Sequence, residues 1–191
     1  MKIAIIGGMA QERFFAGQRD GWHVWGLNAI RPPWVAKWSK MFNLHRFKHL
    51  ERDCPWYVDA DTVWSKRNPE VPMIVIDRWQ NSRLANTVLF PRDKLRALPR
   101  GGEYHAGSFD MLVAYAVLLR AEAIALHGIQ LTNQTGEPIS ARACLEYWIG
   151  VAEGRGIPVT CAPDCDMFAQ FHYVRSQTVY GYDDVRLVER R

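Results

Sequence analysis

The sequence predicts an α/β fold, with residues 1–191 forming a single domain around a mostly parallel sheet of about six strands, a Rossmann-like three-layer sandwich. Three observations support this prediction. The length of 191 residues suits about one domain. Short apolar, β-branched runs alternate with segments that have helical spacing. The runs are apolar at consecutive positions, which is typical of strands covered by helices on both faces.

The strands are predicted from these apolar runs. Lys2–Ile6 is β-branched and ends in Gly7-Gly8, which indicates a buried strand followed by a tight turn. Val71–Ile76 has the same character. The remaining strands are predicted at Trp22–Asn28, Met41–His45, Asn86–Phe90, Ala123–His127 and Ile157–Cys161.

The helices are predicted between these strands. Phe109–Arg120 is apolar nearly all round and therefore belongs in the core, with Ser108 as its N-cap. Ala141–Gly154 is a second long helix that ends at Gly156. Shorter helical segments are predicted at Trp34–Lys40 after Pro33, at Val58–Lys66 and at Arg92–Leu98, and Met9–Gly17 is a short amphipathic segment. Residues 169–191 have no firm period and are predicted as a tail with some strand.

The composition excludes several classes of protein. Apolar residues make up 48% and charged residues 23%, which excludes a disordered chain. No apolar run reaches the roughly 18 residues of a membrane-spanning helix, and the N-terminal run is too short for a secretory signal. We therefore expect a cytoplasmic protein. The spacing of the four cysteines matches no common zinc or redox motif, which predicts reduced thiols and no metal site at Cys54, Cys144, Cys161 and Cys165.

Candidate ligand-binding residues follow from the predicted topology. In parallel sheets of this type, ligands bind at the carboxyl ends of the strands. Glycines after a strand let a ligand approach the backbone, and amides at a helix start attract phosphate. The pattern lacks both GxGxxG and a Walker lysine, so a purely structural turn at the first glycines stays an alternative. The predicted nucleotide-binding residues are Gly7, Gly8, Asn28, Gly107 and Ser108.

Three histidines are candidates for a general base, because an imidazole titrates near neutral pH. His105 lies in the glycine-rich loop, His127 ends a predicted strand, and His45 ends another. Structural roles for all three are the alternative. Arg142, near the start of the second long helix, is a candidate for neutralising a phosphate, and a solvated arginine is the alternative there.

Several phrases of the sequence carry a resemblance to known families. The order of six blocks resembles the Rossmann-like sialyltransferases of bacterial lipooligosaccharide synthesis, which use CMP-sialic acid. The blocks are Ile3–Gly8, Val24–Asn28, Gly107-Ser108-Phe109, Ile124–Gln130, Cys144–Tyr147 and Ile157–Val159. The wording Trp-Gly-Leu-Asn with a later Leu-His also resembles small uncharacterised phage and prophage proteins.

The resemblance to sialyltransferases covers residues 3–30 and 105–168. It implies that Gly7, Gly8, Asn28 and Ser108 hold a cytidine nucleotide. The chain departs from that family in two places. Its first turn reads Gly-Gly-Met-Ala instead of carrying Asn or Ser and Pro, and residues 131–140 contain no counterpart of the family's catalytic histidine.

The function predicted from these observations is binding of a nucleotide or nucleotide sugar, with glycosyltransferase activity as its enzymatic form. The donor would be a CMP-sugar or a similar compound, and no metal would be required. Two alternatives remain: a non-enzymatic phage accessory protein that binds a nucleotide signal or a host protein, and a nucleic-acid-binding module. The net charge of +4 favours the last one only weakly. The oligomeric state stays open.

Overall fold

The computed structural model describes residues 1–15, 20–28, 30–45, 55–76, 83–131 and 139–167. In these ranges, seven strands form one parallel sheet. The strands are β1 (Lys2–Ile6), β2 (Trp22–Leu27), β3 (Lys40–Asn43), β4 (Met73–Val75), β5 (Thr87–Leu89), β6 (Ala123–His127) and β7 (Val159–Cys161). The helices are α1 (Glu12–Phe15), α2 (Pro55–Arg67), α3 (Arg92–Leu95), α4 (Ser108–Leu118) and α5 (Ile139–Gly154). The predicted α/β class is confirmed.

The strand order is β5-β4-β3-β2-β1-β6-β7. From β1 the chain moves outward through β2 to β5, then returns to place β6 on the other side of β1. The strand order therefore reverses between β1 and β6. Ligands of such sheets bind at this topological switch point, at the carboxyl ends of the strands. The sequence also predicts that Lys2–Ile6, Met73–Ile76 and Ile124–His127 are adjacent or near-adjacent parallel strands of one sheet. The three strands are parallel and β6 pairs with β1, but β4 is not adjacent to β1, because β2 and β3 lie between them. Composition identifies a buried strand but not its place in the sheet.

The two faces of the sheet carry separate apolar cores. On one face, Ile3 and Ile5 of β1 pack in a large cluster with apolar residues of α4 and α5. On the other face, Ala4 and Ile6 belong to a smaller cluster that includes Phe15 of α1. The alternation along β1 follows from the two-residue period of a strand. Helix α4 is buried over most of its circumference, as its composition predicts.

The helix predicted at Trp34–Lys40 is absent, and this prediction is wrong. Trp38 is buried against the sheet, as the apolar spacing suggests. The backbone nevertheless hydrogen-bonds to the sheet: the Ser39 N–H donates to the Val24 carbonyl oxygen at 2.8 Å. The Val24 N–H in turn donates to Ser39 Oγ at 3.1 Å. These bonds to β2 require an extended chain and exclude helical hydrogen bonding.

The predicted N-cap role of Ser108 is also wrong. Ser108 is the first residue of α4, and the N-cap is Gly107 in an extended conformation. The capping acceptor is Asp110, whose Oδ2 receives the N–H groups of Ala106 and Gly107 at 2.9 and 2.8 Å. Asp110 thus supplies the N3 half of a capping box, in which the carboxylate accepts the N–H of the N-cap residue.

The sequence also predicts a polar loop at Thr132–Ser140. Residues 132–138 of it, and the predicted tail at 169–191, lie outside the described residues, whereas residues 139 and 140 belong to α5. Within the described ranges, no helix combines the length and apolar character that a membrane crossing requires.

Candidate functional site

The carboxyl ends of the strands form one edge of the sheet, which we call the carboxyl edge. The turn after β1 packs directly on the turn after β6 at this edge. The Gly7 N–H donates to the His127 carbonyl oxygen at 2.7 Å, and the Met9 N–H donates to the Gly128 carbonyl oxygen at 3.0 Å. A Cβ on Gly7 would overlap the Gly128 carbonyl group, so this close approach requires glycine. Among the described residues, a Cβ on Gly8 would meet nothing closer than the Ile30 side chain at 3.8 Å, so this part of the chain leaves space beside Gly8.

A buried carboxylate that sequence reasoning missed holds these two turns. Asp164 is 5% exposed and lies beyond β7. Its Oδ1 accepts the Gly128 N–H, and its Oδ2 accepts the Gln11 N–H, both at 2.8 Å. Asp164 thus fixes the turn after β1 relative to the turn after β6. Extending the strand-end rule to the last strand would have found it.

Asn28 lies where the turn after β2 reaches the carboxyl edge. It is buried, and its φ of 51° places it in the left-handed region. Its backbone N–H donates to the Phe42 carbonyl oxygen at 2.7 Å. Its side-chain Oδ1 is buried and has no hydrogen-bond partner in the described part of the chain. A buried acceptor without a donor is rare in folded proteins and suggests a missing ligand group.

A buried polar cluster lies next to Asn28, at the end of β3. Asp61 of α2 is fully buried. Its Oδ2 accepts the Asn43 Nδ2–H at 2.6 Å, and its Oδ1 forms an ion pair with Arg31. The Arg31 guanidinium also lies 4.7 Å from the centre of the Trp64 ring. Burial raises the pKa of Asp61, and this effect outweighs the opposing influence of Arg31 and Asn43.

Asn43 and Asp61 were missed by the sequence reasoning, which selected His45 two residues beyond Asn43. The strand-end rule points to Asn43 once β3 is known to end there. Asp61 carries no such signal, because it lies in the middle of a helix and reaches the edge only through packing.

His105 is held on three sides. Its Nδ1 lies 2.9 Å from Asp110 Oδ1, and its Nε2 lies 3.2 Å from the Gly101 carbonyl oxygen. Both partners are hydrogen-bond acceptors, so a ring nitrogen that carries hydrogen can donate to the group it faces. The ring also stacks on Trp148, with 5.2 Å between ring centres. These contacts anchor the loop before α4.

The other two candidate histidines differ from His105 in their surroundings. His127 is 1% exposed and faces Phe15, with 5.3 Å between ring centres. Neither of its ring nitrogens has a hydrogen-bond partner among the residues described. Burial lowers the pKa of His127 and so favours the neutral ring. The negative charge of Asp164 acts in the opposite direction but is the smaller effect. His45 is exposed, and its charge acts to lower the pKa of Asp61.

The structure brings some of the predicted residues together and separates others. Gly7 contacts the backbone of His127, and Gly8 faces Ile30, two residues beyond Asn28. Gly107 and Ser108 lie at the start of α4 on the same edge, since α4 ends before β6 begins at the opposite edge. The imidazoles do not converge: His105 stacks on a residue of one core cluster, and His127 faces a residue of the other. In the described ranges, no group of three or more His, Cys, Asp or Glu side chains is arranged so that it could hold a metal ion.

Comparison with known proteins gives a fold relationship. No family model matches the chain, and no curated protein matches it. Solved structures of the sialyltransferase CstII from Campylobacter jejuni do match. One contains the substrate analogue cytidine-5′-monophosphate: its TM-score is 0.57 at 13% identity, with 88% of this chain and 82% of that chain covered. A monomeric form of CstII gives a TM-score of 0.59 at 14% identity, covering 90% and 84%.

A third CstII structure contains CMP-3FNeuAc and has a TM-score of 0.54 at 13% identity, covering 84% of this chain and 79% of that chain. At these identities the likeness establishes a shared fold. The resemblance to sialyltransferases noted in the sequence is therefore confirmed at the level of the fold. The resemblance to phage proteins stays a prediction.

Proposed function

We propose that this protein binds a nucleotide or nucleotide sugar at the carboxyl edge, with a CMP-sugar as the class of ligand, and that it is a glycosyltransferase-like protein. One observation carries the proposal: the buried, unmatched Oδ1 of Asn28 at the end of β2. A nucleotide supplies suitable donors, because both the exocyclic amine of cytosine and the ribose hydroxyls can donate to an amide oxygen.

Three further features support this location. The described residues leave space beside Gly8 in the turn after β1. The start of α4, an eleven-residue helix, presents its positive dipole end at the same edge. The fold is shared with CstII, which was solved with CMP and with CMP-3FNeuAc. Gly107 and Ser108 are proposed to hold the phosphate, with the Ser108 hydroxyl free of a capping role.

Binding is tested by calorimetric titration of the protein with CMP, and with UMP, AMP and GMP as competitors. Asn28→Gly removes the side chain without straining the left-handed backbone. We expect it to weaken CMP binding by about 0.5–1.5 kcal/mol, the usual contribution of one neutral hydrogen bond. Asn86→Gly is the matched control, because Asn86 also has a positive φ (49°) but is exposed. Equal affinity for CMP in the two variants would remove the main support for the site.

Catalysis is proposed through a histidine that takes a proton from an acceptor hydroxyl. Both ring nitrogens of His105 already face protein acceptors, and its ring stacks on Trp148, so its side chain is engaged within the protein. His127 is buried, so His45, exposed at the end of β3, becomes the first candidate, followed by His127 and His105. Each is changed to Asn, and donor hydrolysis and transfer are measured together with affinity. Replacing the histidine that acts as the base should lower turnover by about 10²–10⁴-fold, while the affinity for the donor stays nearly unchanged.

The alternative of a non-enzymatic binding protein makes a different prediction. The wild-type protein would then bind a nucleotide but turn over no donor sugar under any condition. Thermal stabilisation by the ligand measures binding without reference to turnover, since ligand at 100 times its dissociation constant adds about 2.7 kcal/mol.

A further inference from the structure

Arg142, in the first turn of α5, is a buried cation with unused hydrogen-bonding capacity. The residue is 8% exposed. Its Nε donates to Glu146 Oε1 one turn along the helix, at 2.9 Å. Its two terminal nitrogens, Nη1 and Nη2, are buried and have no hydrogen-bond partner in the described ranges of the chain. A buried guanidinium that is only partly paired is unfavourable, so its presence needs an explanation.

The position of Arg142 provides that explanation. Helix α5 follows β6, so its N-terminal end stands at the carboxyl edge, and its sixteen residues run back towards the other end of the sheet. The same end of α5 packs against the start of α4, where a Cβ on Gly107 would lie 3.1 Å from the Ala141 Cβ. Two long helices thus bring their positive dipole ends together beside Arg142.

The geometry of the side chain suits an oxyanion. The contact with Glu146 uses Nε and orients the planar guanidinium, which leaves the edge formed by Nη1 and Nη2 unused. That edge can bind two oxygens of a phosphate or a carboxylate at once. Unpaired N–H groups of the first helical turns add donors for the same group.

We propose that Arg142 is the anion-binding residue of the site and determines specificity for a charged ligand. It holds an oxyanion of the nucleotide sugar, which is either the phosphate or a carboxylate on the sugar. The identity of this ligand rests on the proposed function, whereas the unpaired guanidinium does not. Removing Arg142 is therefore expected to weaken the binding of anions.

The test compares Arg142→Met with wild type by calorimetry against cytidine, CMP and CMP-sialic acid. If the phosphate is bound, CMP affinity falls by about ten- to a hundredfold, as for a charge-assisted hydrogen bond, and cytidine affinity is unchanged. If the carboxylate is bound, only CMP-sialic acid loses affinity. Arg142→Lys keeps the charge without the planar fork and should give an intermediate loss. Arg155→Met is the control, because Arg155 is an exposed arginine just beyond the same helix.

A second measurement separates binding from a structural role. The thermal midpoint of Arg142→Met without ligand measures what Arg142 contributes to stability, because the variant also loses the pair with Glu146. Affinities are therefore compared at a temperature where both proteins are folded, and unchanged affinity for all three compounds would overturn the proposal. If wild type binds no cytidine compound, the proposed function fails separately. Inorganic phosphate must then raise the midpoint of wild type and not that of Arg142→Met, and its failure to do so would refute the role of Arg142.

Discussion

The two ends of the strands differ in how their polar groups are satisfied. At the carboxyl edge, several buried side-chain atoms have no partner in the described part of the chain: Asn28 Oδ1, both ring nitrogens of His127, Nη1 and Nη2 of Arg142, and Asp166 Oδ2. At the amino end, the terminal ammonium of Met1 donates to Glu122 Oε1 at 2.7 Å, and the Glu122 side chain is 68% exposed. There, water is available to any polar group that protein contacts leave unsatisfied.

The difference shows where the fold tolerates unfavourable polar burial. A hydrated group needs no protein partner, whereas a buried one without a partner destabilises the structure by about 1–3 kcal/mol. Such groups persist in functional sites because their partner is a ligand. The carboxyl edge is also where parallel sheets of this type bind ligands. The two arguments are independent, and most of the unmatched atoms lie at this end. Trp25 Nε1, inside β2, and Thr62 Oγ1, inside α2, are also unmatched in the described ranges, and the position of the carboxyl edge does not explain them.

The largest expected contrast is between one carboxylate at each end. Asp164→Ala leaves the buried Gly128 N–H and the Gln11 N–H without their acceptor. The free energy of unfolding should fall by roughly 2–4 kcal/mol, because each unsatisfied donor contributes about 1–3 kcal/mol. Glu122→Ala removes an exposed ion pair and should leave denaturant unfolding nearly unchanged. Similar midpoints for the two variants would mean that Asp164 does not hold the turns.

Glycines at the two ends should respond with opposite signs. Gly7→Ala forces a Cβ into the Gly128 carbonyl group and should destabilise the fold by about 1–3 kcal/mol. Gly154→Ala, at the end of α5, places its Cβ where no described residue lies within 4 Å. It should stabilise the fold by about 0.4–1 kcal/mol, because alanine has fewer conformations in the unfolded chain. Urea unfolding of both variants measures the signs, and a stable Gly7→Ala protein would contradict the close packing of the two turns.

The smallest contrast concerns pH and two histidines. Burial lowers the pKa of His127 below its ordinary value of 6.5. As the pH falls below 6.5, the unfolded chain therefore binds a proton that the folded protein does not bind until its lower pKa is reached. Stability is lost over that window, at a rate of at most about 1.4 kcal/mol per pH unit.

Two variants check this pH dependence by denaturant unfolding between pH 5 and pH 7, a window set by that reference pKa. His127→Gln removes the titrating group and should reduce the loss of stability in acid. His23→Gln, at an exposed position near the amino end of β2, should retain the wild-type slope. Identical slopes in all three proteins would mean that His127 is not the group responsible.

Much of the fold could be predicted from local patterns. The β-branched run at Lys2–Ile6 and the all-round apolar helix at Ser108–Leu118 lie in the sheet and the core, where their composition places them. The failure at Trp34–Lys40 has a specific cause. Its apolar spacing fits a helix, but its backbone hydrogen bonds go to β2, fifteen residues earlier along the chain. The local sequence pattern does not predict which distant strand will hydrogen-bond to a segment.

The candidate site divides in the same way. The sequence alone determined the turn after β1, the polar residue after β2 and the start of α4, because parallel strands share one ligand-binding end and strand ends are visible locally. Only the tertiary structure decided which polar groups are buried and which are paired. Asp164 meets Gly128 across 36 residues, and Asp61 meets Asn43 across 18. Burial and hydrogen bonding depend on how helices and turns pack, and local residue spacing contains no information about packing between distant segments.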